Sequence, residues 1–146
     1  ELIDEVRSWT RLPMLLKGIL VGEDAVRAVE HGAQGVVVSN HGGRQLDRTP
    51  AAIDALPDVV AAVGGRAEVF LDGGVRRGLD VVTALALRAR AVFTGRPVLY
   101  GLAVAGEAGV ARVMEVLAAE TQRAMVLLGA ASVADLRPAL MQDGPR

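Results

Sequence analysis

The chain has 146 residues, 51% of them hydrophobic, with 16 basic and 17 acidic side chains and a net charge of −1. That is the length of one ordinary domain with ample material for a core, which excludes a disordered chain. The balanced charge, free of blocks of one sign, implies neither a nucleic-acid nor a membrane-surface partner; the lack of cysteine excludes disulfides and Cys-bound metal centres, and two histidines leave little for a metal.

In chain order, Pro13–Lys17 predicts a strand and Glu23–His31 a helix; Gly35–Ser39 a strand and Ala51–Val63 a helix; Glu68–Asp72 a strand and Gly78–Ala89 a helix. Ala91–Gly95 predicts a fourth strand, followed by helices over Pro97–Ala105 and Gly109–Leu128. This is a βα unit repeated four times. The strands are continuous apolar runs, as expected of parallel strands covered on both faces. Glu23 and Asp24 suit a first helical turn, Thr49-Pro50 predicts a helix cap, and Gly32 and Gly129 suit helix ends. His31 reads as a helix C-terminal residue without chemistry, Trp9, Tyr100 and the methionines as packing or surface residues, and Val110–Leu128 as an amphipathic outer helix. Apolar runs stop well short of the ~18 residues of a membrane span, and no signal-peptide pattern opens the chain, so the expectation is a soluble, cytoplasmic protein. Glu1 in place of an initiator Met marks the chain, on this reading, as a piece or a processed product.

Each strand ends in glycine or a polar residue, and the carboxyl edge of a parallel sheet is where α/β folds bind ligands. The most informative string is Ser39-Asn40-His41-Gly42-Gly43-Arg44-Gln45-Leu46-Asp47. It puts an imidazole, a base near neutral pH, three residues from a guanidinium able to clamp a carboxylate with two parallel hydrogen bonds. Lys17 closes the first strand as a cation at the same edge. Asp72 closes the third, where it could orient His41 and stabilise its protonated form, and Gly73-Gly74-Val75-Arg76 after it offers an anion cradle. Gly95-Arg96-Pro97 repeats that theme with a proline suited to the first position of a helix, a stronger phosphate signal. Four βα units make half of an eight-stranded barrel of about 250 residues. A lone half leaves two sheet edges and an unfinished core, so the remainder is expected from another segment or chain, with self-pairing or an open sheet as the other solutions.

Together with Leu12-Pro13-Met14-Leu15-Leu16-Lys17-Gly18 and Asp72-Gly73-Gly74-Val75-Arg76-Arg77-Gly78, these strings closely resemble the FMN-dependent α-hydroxy acid oxidase and dehydrogenase family, which includes glycolate, lactate and mandelate-type enzymes. The resemblance implies a (β/α)8 TIM barrel to which residues 1–146 contribute the C-terminal half, strands five to eight, and whose partner is the N-terminal half as a separate segment or chain. It implies FMN as cofactor and oxidation of a small 2-hydroxy acid to the 2-oxo acid. His41 would be the catalytic base, Arg44 the ligand of the substrate carboxylate and Asp72 the partner of His41. Lys17 would sit by the flavin pyrimidine, Ser39 would touch the flavin, and Asp72, Gly73, Gly74, Val75 and Arg76, then Gly95 and Arg96, would line the ribityl chain and phosphate. Reoxidation by O2, mandelate or 4-hydroxymandelate as substrate, and a homo-oligomer such as a tetramer complete the expectation. Hydride and carbanion routes use the same residues. The chain departs from the family where Arg88 stands in place of a glycine at the end of a helix, which costs about 1 kcal/mol if the left-handed conformation is required there. Two competing readings are a non-catalytic, phosphate-binding or structural half-barrel, and another FMN barrel such as a reductase or isomerase. Joint retention of Lys17, His41, Arg44 and Asp72 argues against the first, and the His41–Arg44 pair against the second.

Overall fold

A computed structural model describes residues 2–141. Four parallel strands lie in sequence order, β1 (Leu15–Ile19), β2 (Gly35–Ser39), β3 (Glu68–Asp72) and β4 (Ala91–Phe93). Helices α2 (Gly22–Glu30), α3 (Ala52–Val63) and α4 (Gly78–Ala86) form the crossovers, α1 (Leu2–Trp9) precedes the sheet, and α5 (Arg96–Leu127) follows it. Short 3₁₀ turns occupy His41–Gly43, Val133–Asp135 and Pro138–Leu140. Among the described residues no helix is long and apolar enough to cross a membrane.

Alternation along the strands divides the sheet into two faces. Val36, Val38, Val69 and Leu71 face the helices and pack with Leu56, Val59 and Val63 of α3 and Ala25 and Ala28 of α2. This core is apolar throughout, with Leu56, Val36 and Val38 fully buried. The opposite face carries Leu15 and Lys17, Val37 and Ser39, Phe70 and Asp72, and Phe93. It is only partly covered: Leu15 is 43% and Phe93 47% exposed. Phe70 and Phe93 pack obliquely there, ring centroids 5.9 Å apart. On the outside, α4 docks against α5 where the Gly78 N–H donates to Glu120 Oε2 at 2.9 Å, and a Cβ on Gly78 would collide with the α5 backbone.

Several boundaries differ from the sequence reading for local physical reasons. β1 starts at Leu15 rather than Pro13, because the Met14 N–H donates to the Gln34 side chain at 2.7 Å, and it runs on through Gly18 to Ile19 across a register shift. Thr49 does not cap α3. Its hydroxyl donates to the Leu46 carbonyl, and Ala51 stands at the cap without a side-chain bond. The break expected between helices over Pro97–Ala105 and Gly109–Leu128 is present, in contrast: Ala105 and Gly106 interrupt α5, and its two pieces fold past one another where Gly101 and Gly109 touch backbone to backbone. The unexpected α1 is tied down by His31 Nδ1 to Asp4 Oδ1 at 2.8 Å and by Arg7 donating to the Leu12 carbonyl.

α4 ends at Ala86, three residues early, in a turn that bonds the Ala89 N–H to the Ala84 carbonyl with Arg88 at φ 75°. This is the left-handed position that ends many helices and favours glycine. Arg88→Gly is therefore expected to raise the stability of the fold by about 1 kcal/mol, read as a higher urea midpoint; a lower midpoint would show that the arginine makes contacts outweighing its backbone strain.

Candidate active site

The carboxyl edge of the sheet gathers around one hydroxyl. Ser39 is the last residue of β2, 1% exposed, and in register with Asp72 at the end of β3. Its Oγ donates to Asp72 Oδ2 at 2.6 Å and accepts from Lys17 Nζ at 3.2 Å and from the His41 N–H at 3.0 Å. Lys17 Nζ also lies 2.8 Å from the same Asp72 oxygen. One donor and two acceptor sites are all a serine hydroxyl has, so nothing in this group is left unsatisfied.

Beyond Ser39 the chain turns through three consecutive left-handed residues, His41 (φ 57°), Gly42 (φ 68°) and Gly43 (φ 72°). For a histidine this backbone is strained, and it persists only where neighbours impose it. Ser39 holds its N–H; Asn40 Oδ1 accepts from the Gly42 N–H at 3.1 Å, while Asn40 Nδ2 donates to the Pro50 carbonyl at 3.2 Å. The turn presents the imidazole above Gly18 and Arg44 beside it.

These groups open onto a cavity of about 460 Å³. Lys17, His41, Arg44, Asp72, Gly73, Gly74, Val75, Arg76, Gly95 and Arg96 all line it, so ten of the eleven residues singled out in the sequence converge. Ser39 does not line it and lies beneath it. Gly42, Gln45, Phe93, Thr94, Pro97 and Leu99 complete the wall. Apart from Gly42 and Pro97, no chemical signal marks these: Thr94, for instance, is fixed by a hydroxyl bond to the Val75 carbonyl, nineteen residues away. The lining holds four permanent cations (Lys17, Arg44, Arg76, Arg96) against a single carboxylate, Asp72, and that carboxylate is already paired. Gly74 and Gly95 face open space, with nothing within 4 Å of a Cβ at either, so a ligand can approach the bare backbone.

Two expectations change in detail. Asp72 is expected to orient the imidazole, but its Oδ2 is taken by Lys17 and Ser39, and no hydrogen bond joins it to His41. The backbone N–H groups of Arg76 and Arg77 both donate to Asp80 at 2.9 Å, which leaves the guanidinium of Arg76, rather than its amide, for a ligand. Arg96 Nη2 donates across the cavity to the Gly42 carbonyl at 3.2 Å and so joins the fourth strand's loop to the His41 turn.

Burial pushes the Asp72 carboxyl upward, but hydrogen bonds from Lys17 and Ser39, with the charges of Lys17 and His41, outweigh it and hold the group below its ordinary value of 3.8. A carboxylate lowered by folding adds stability that is complete above the unfolded value and is lost as pH falls through the folded one. Lys17→Met removes both a hydrogen bond and a charge, so the acid limb of the stability profile should move to higher pH. Acid unfolding followed by circular dichroism checks this; an unmoved limb would mean Asp72 does not depend on Lys17.

Comparison with known proteins agrees with this geometry. The sequence profile of the FMN-dependent dehydrogenase family matches residues 1–143. The chain is 59% identical to 2-hydroxyacid oxidase 2 of Rattus norvegicus over 94% of its own length and 39% of the relative's. It is 57% identical to L-lactate oxidase of Nostoc sp. over 92% of its length and 37% of the relative's. A crystal structure of mandelate oxidase with (S)-2-phenylpropionate superposes with a TM-score of 0.89 at 54% identity, covering 92% of this chain and 40% of that one, and places the four strands within a TIM-barrel fold. The chain thus spans about two fifths of the length of the relatives it matches. A match over nearly its whole length, on a sheet whose strand ends carry these cations and glycines, means that the chain belongs to the FMN-dependent dehydrogenase family.

Proposed function

We propose that this chain supplies the proton-transfer and anion-binding side of an FMN-dependent enzyme that oxidises a small 2-hydroxy acid to the 2-oxo acid. The observation that carries the reading is the charge of the cavity. Four cations less one carboxylate leave a surplus of three positive charges in a space lined by open glycines. A flavin phosphate, close to −2 near neutral pH, and a substrate carboxylate supply a matching negative charge. The names of the relatives, two of them oxidases of hydroxy acids and one of mandelate, point the same way.

In this reading Arg76, Arg96 and the Gly95 turn at the start of α5 hold the phosphate, with Pro97 in the first helical turn leaving free N–H groups beside it. Arg96 would exchange its bond to the Gly42 carbonyl for that phosphate. Lys17 faces the electron-rich end of the flavin. FMN, when bound, supplies the acceptor for the two electrons that leave the substrate α-carbon. Arg44 grips the substrate carboxylate, and His41 takes the hydroxyl proton on a ring nitrogen. Asp72, kept ionised by Lys17 and Ser39, stabilises the imidazolium that forms, through space. Ser39 acts from beneath, as the support of His41 and Asp72. Oxygen is the proposed final acceptor, and mandelate is the substrate to test beside lactate and glycolate.

The half-covered inner face and the open edges at β1 and β4 support a barrel completed by a separate segment or chain, this one contributing strands five to eight. FMN is accordingly expected to bind at one per barrel when both parts are present and not to this chain alone; absence of a flavin spectrum from the two-part protein would refute the reading. In that holoenzyme His41→Ala should lower kcat by about 10²–10⁴-fold with flavin retained. Arg44→Met should raise KM by about 100-fold, for want of a charge-assisted bidentate contact. Steady-state kinetics checks both, and an unchanged KM would remove Arg44 from the site.

A further inference from the structure

The residue that seats the imidazole is not one of the charged groups. Gly18 lies in β1 at φ +98°, where the pairing with β2 passes from Lys17↔Val37 to Ile19↔Val38 and leaves Gly18 without a cross-strand partner. Such a bulge re-aims the strand next to a site. A Cβ placed on Gly18 would stand 2.9 Å from His41 Cε1, 3.8 Å from Nδ1 and 3.9 Å from Nε2, and these imidazole atoms are its three nearest neighbours. At 2.9 Å one of the two must move. Backbone conformation favours glycine here, and the imidazole occupies the space a side chain would need, so a Cβ at this position has to displace the ring.

We propose that Gly18 is a positioning residue for the base: its bare Cα is the floor on which the His41 ring rests, and it acts on the reaction only through that ring. The proposal rests on the reading of His41 as the base. Ser39 fixes the backbone of His41 by accepting its N–H, but that bond leaves the side-chain torsions free. Lys17, the residue before the bulge, pairs with Val37 and bonds Ser39 and Asp72 from the same face of the sheet, so ring and carboxylate are set by neighbouring residues of one strand. A methyl group at position 18 lifts or swings the ring, and displacement of a reacting group by about 1 Å costs on the order of 100-fold in rate.

The test is a double-mutant cycle in the complete FMN-loaded enzyme with Gly18→Ala, His41→Ala and both together. The strain of a non-glycine residue at φ +98° is common to both backgrounds and cancels. With His41 present, Gly18→Ala is expected to lower kcat about 100-fold, with KM and flavin content little changed; with Ala at 41 it should change kcat less than about twofold. Thermal unfolding supplies a readout that needs no turnover: the loss of Tm caused by Gly18→Ala should be larger with His41 than with Ala at that position. Failure of Gly18→Ala to fold, remedied by His41→Ala, supports the proposal equally. Equal losses of Tm in both backgrounds, failure to fold in both, or unchanged kcat in Gly18→Ala would overturn it. A fully active His41→Ala enzyme would refute the base assignment instead, and the unfolding cycle alone would then decide whether Gly18 seats the ring.

Discussion

A single hydroxyl, that of Ser39, ties the carboxyl edge of the sheet together. It receives the ammonium of Lys17 from β1, gives its own proton to Asp72 of β3, and receives the N–H of His41 from the turn that follows β2. Because it is buried, its three bonds stand in for water that cannot reach it. The parallel register of β2 and β3 places Ser39 and Asp72 side by side, and the pairing of Lys17 with Val37 puts the lysine on the same face. The left-handed turn of His41, Gly42 and Gly43 is built on this anchor and pinned on its far side by Asn40.

The cavity owes its charge to the same arrangement. Asp72 is the single carboxylate in its wall, and pairing with Lys17 keeps it ionised without leaving it free to repel an anion. Arg44, Arg76 and Arg96 come from the loops after three successive strands, which short parallel crossovers bring together at one edge. Stability lies on the other face, where the valines of β2 pack on α3 and carry no chemistry. This separation lets a cationic, strained and open site stand on an apolar, well-packed support.

Much of this was legible in the chain because strand, turn and chemistry are adjacent in it. The bounds of β2 and β3 follow directly from the apolar runs ending in Ser39 and Asp72, and the order of cations at successive strand ends foretells their convergence. The left-handed Arg88 was foreshadowed through the resemblance alone, as an arginine standing where the family has a glycine. What sequence could not show is pairing across distance. The partner of Asp72 is decided between Lys17 and His41 by register and a bulge, and neither is written in local composition. The start of β1 depends on the side chain of Gln34, twenty residues on, and α1 on a hydrogen bond between Asp4 and His31. Gln45 and Thr94 reach the cavity from the loops after β2 and β4, and Leu99 from the first turn of α5.

Amide hydrogen exchange at His41 tests the anchoring role of Ser39 most directly. The residue is exposed and sits in a tight turn, where an N–H without a partner exchanges at nearly the rate of an unstructured peptide. If the buried hydroxyl holds it, its exchange is many-fold slower in the native protein, and Ser39→Ala brings it back to the unprotected rate. Fast exchange at His41 in the unmodified protein would contradict the account.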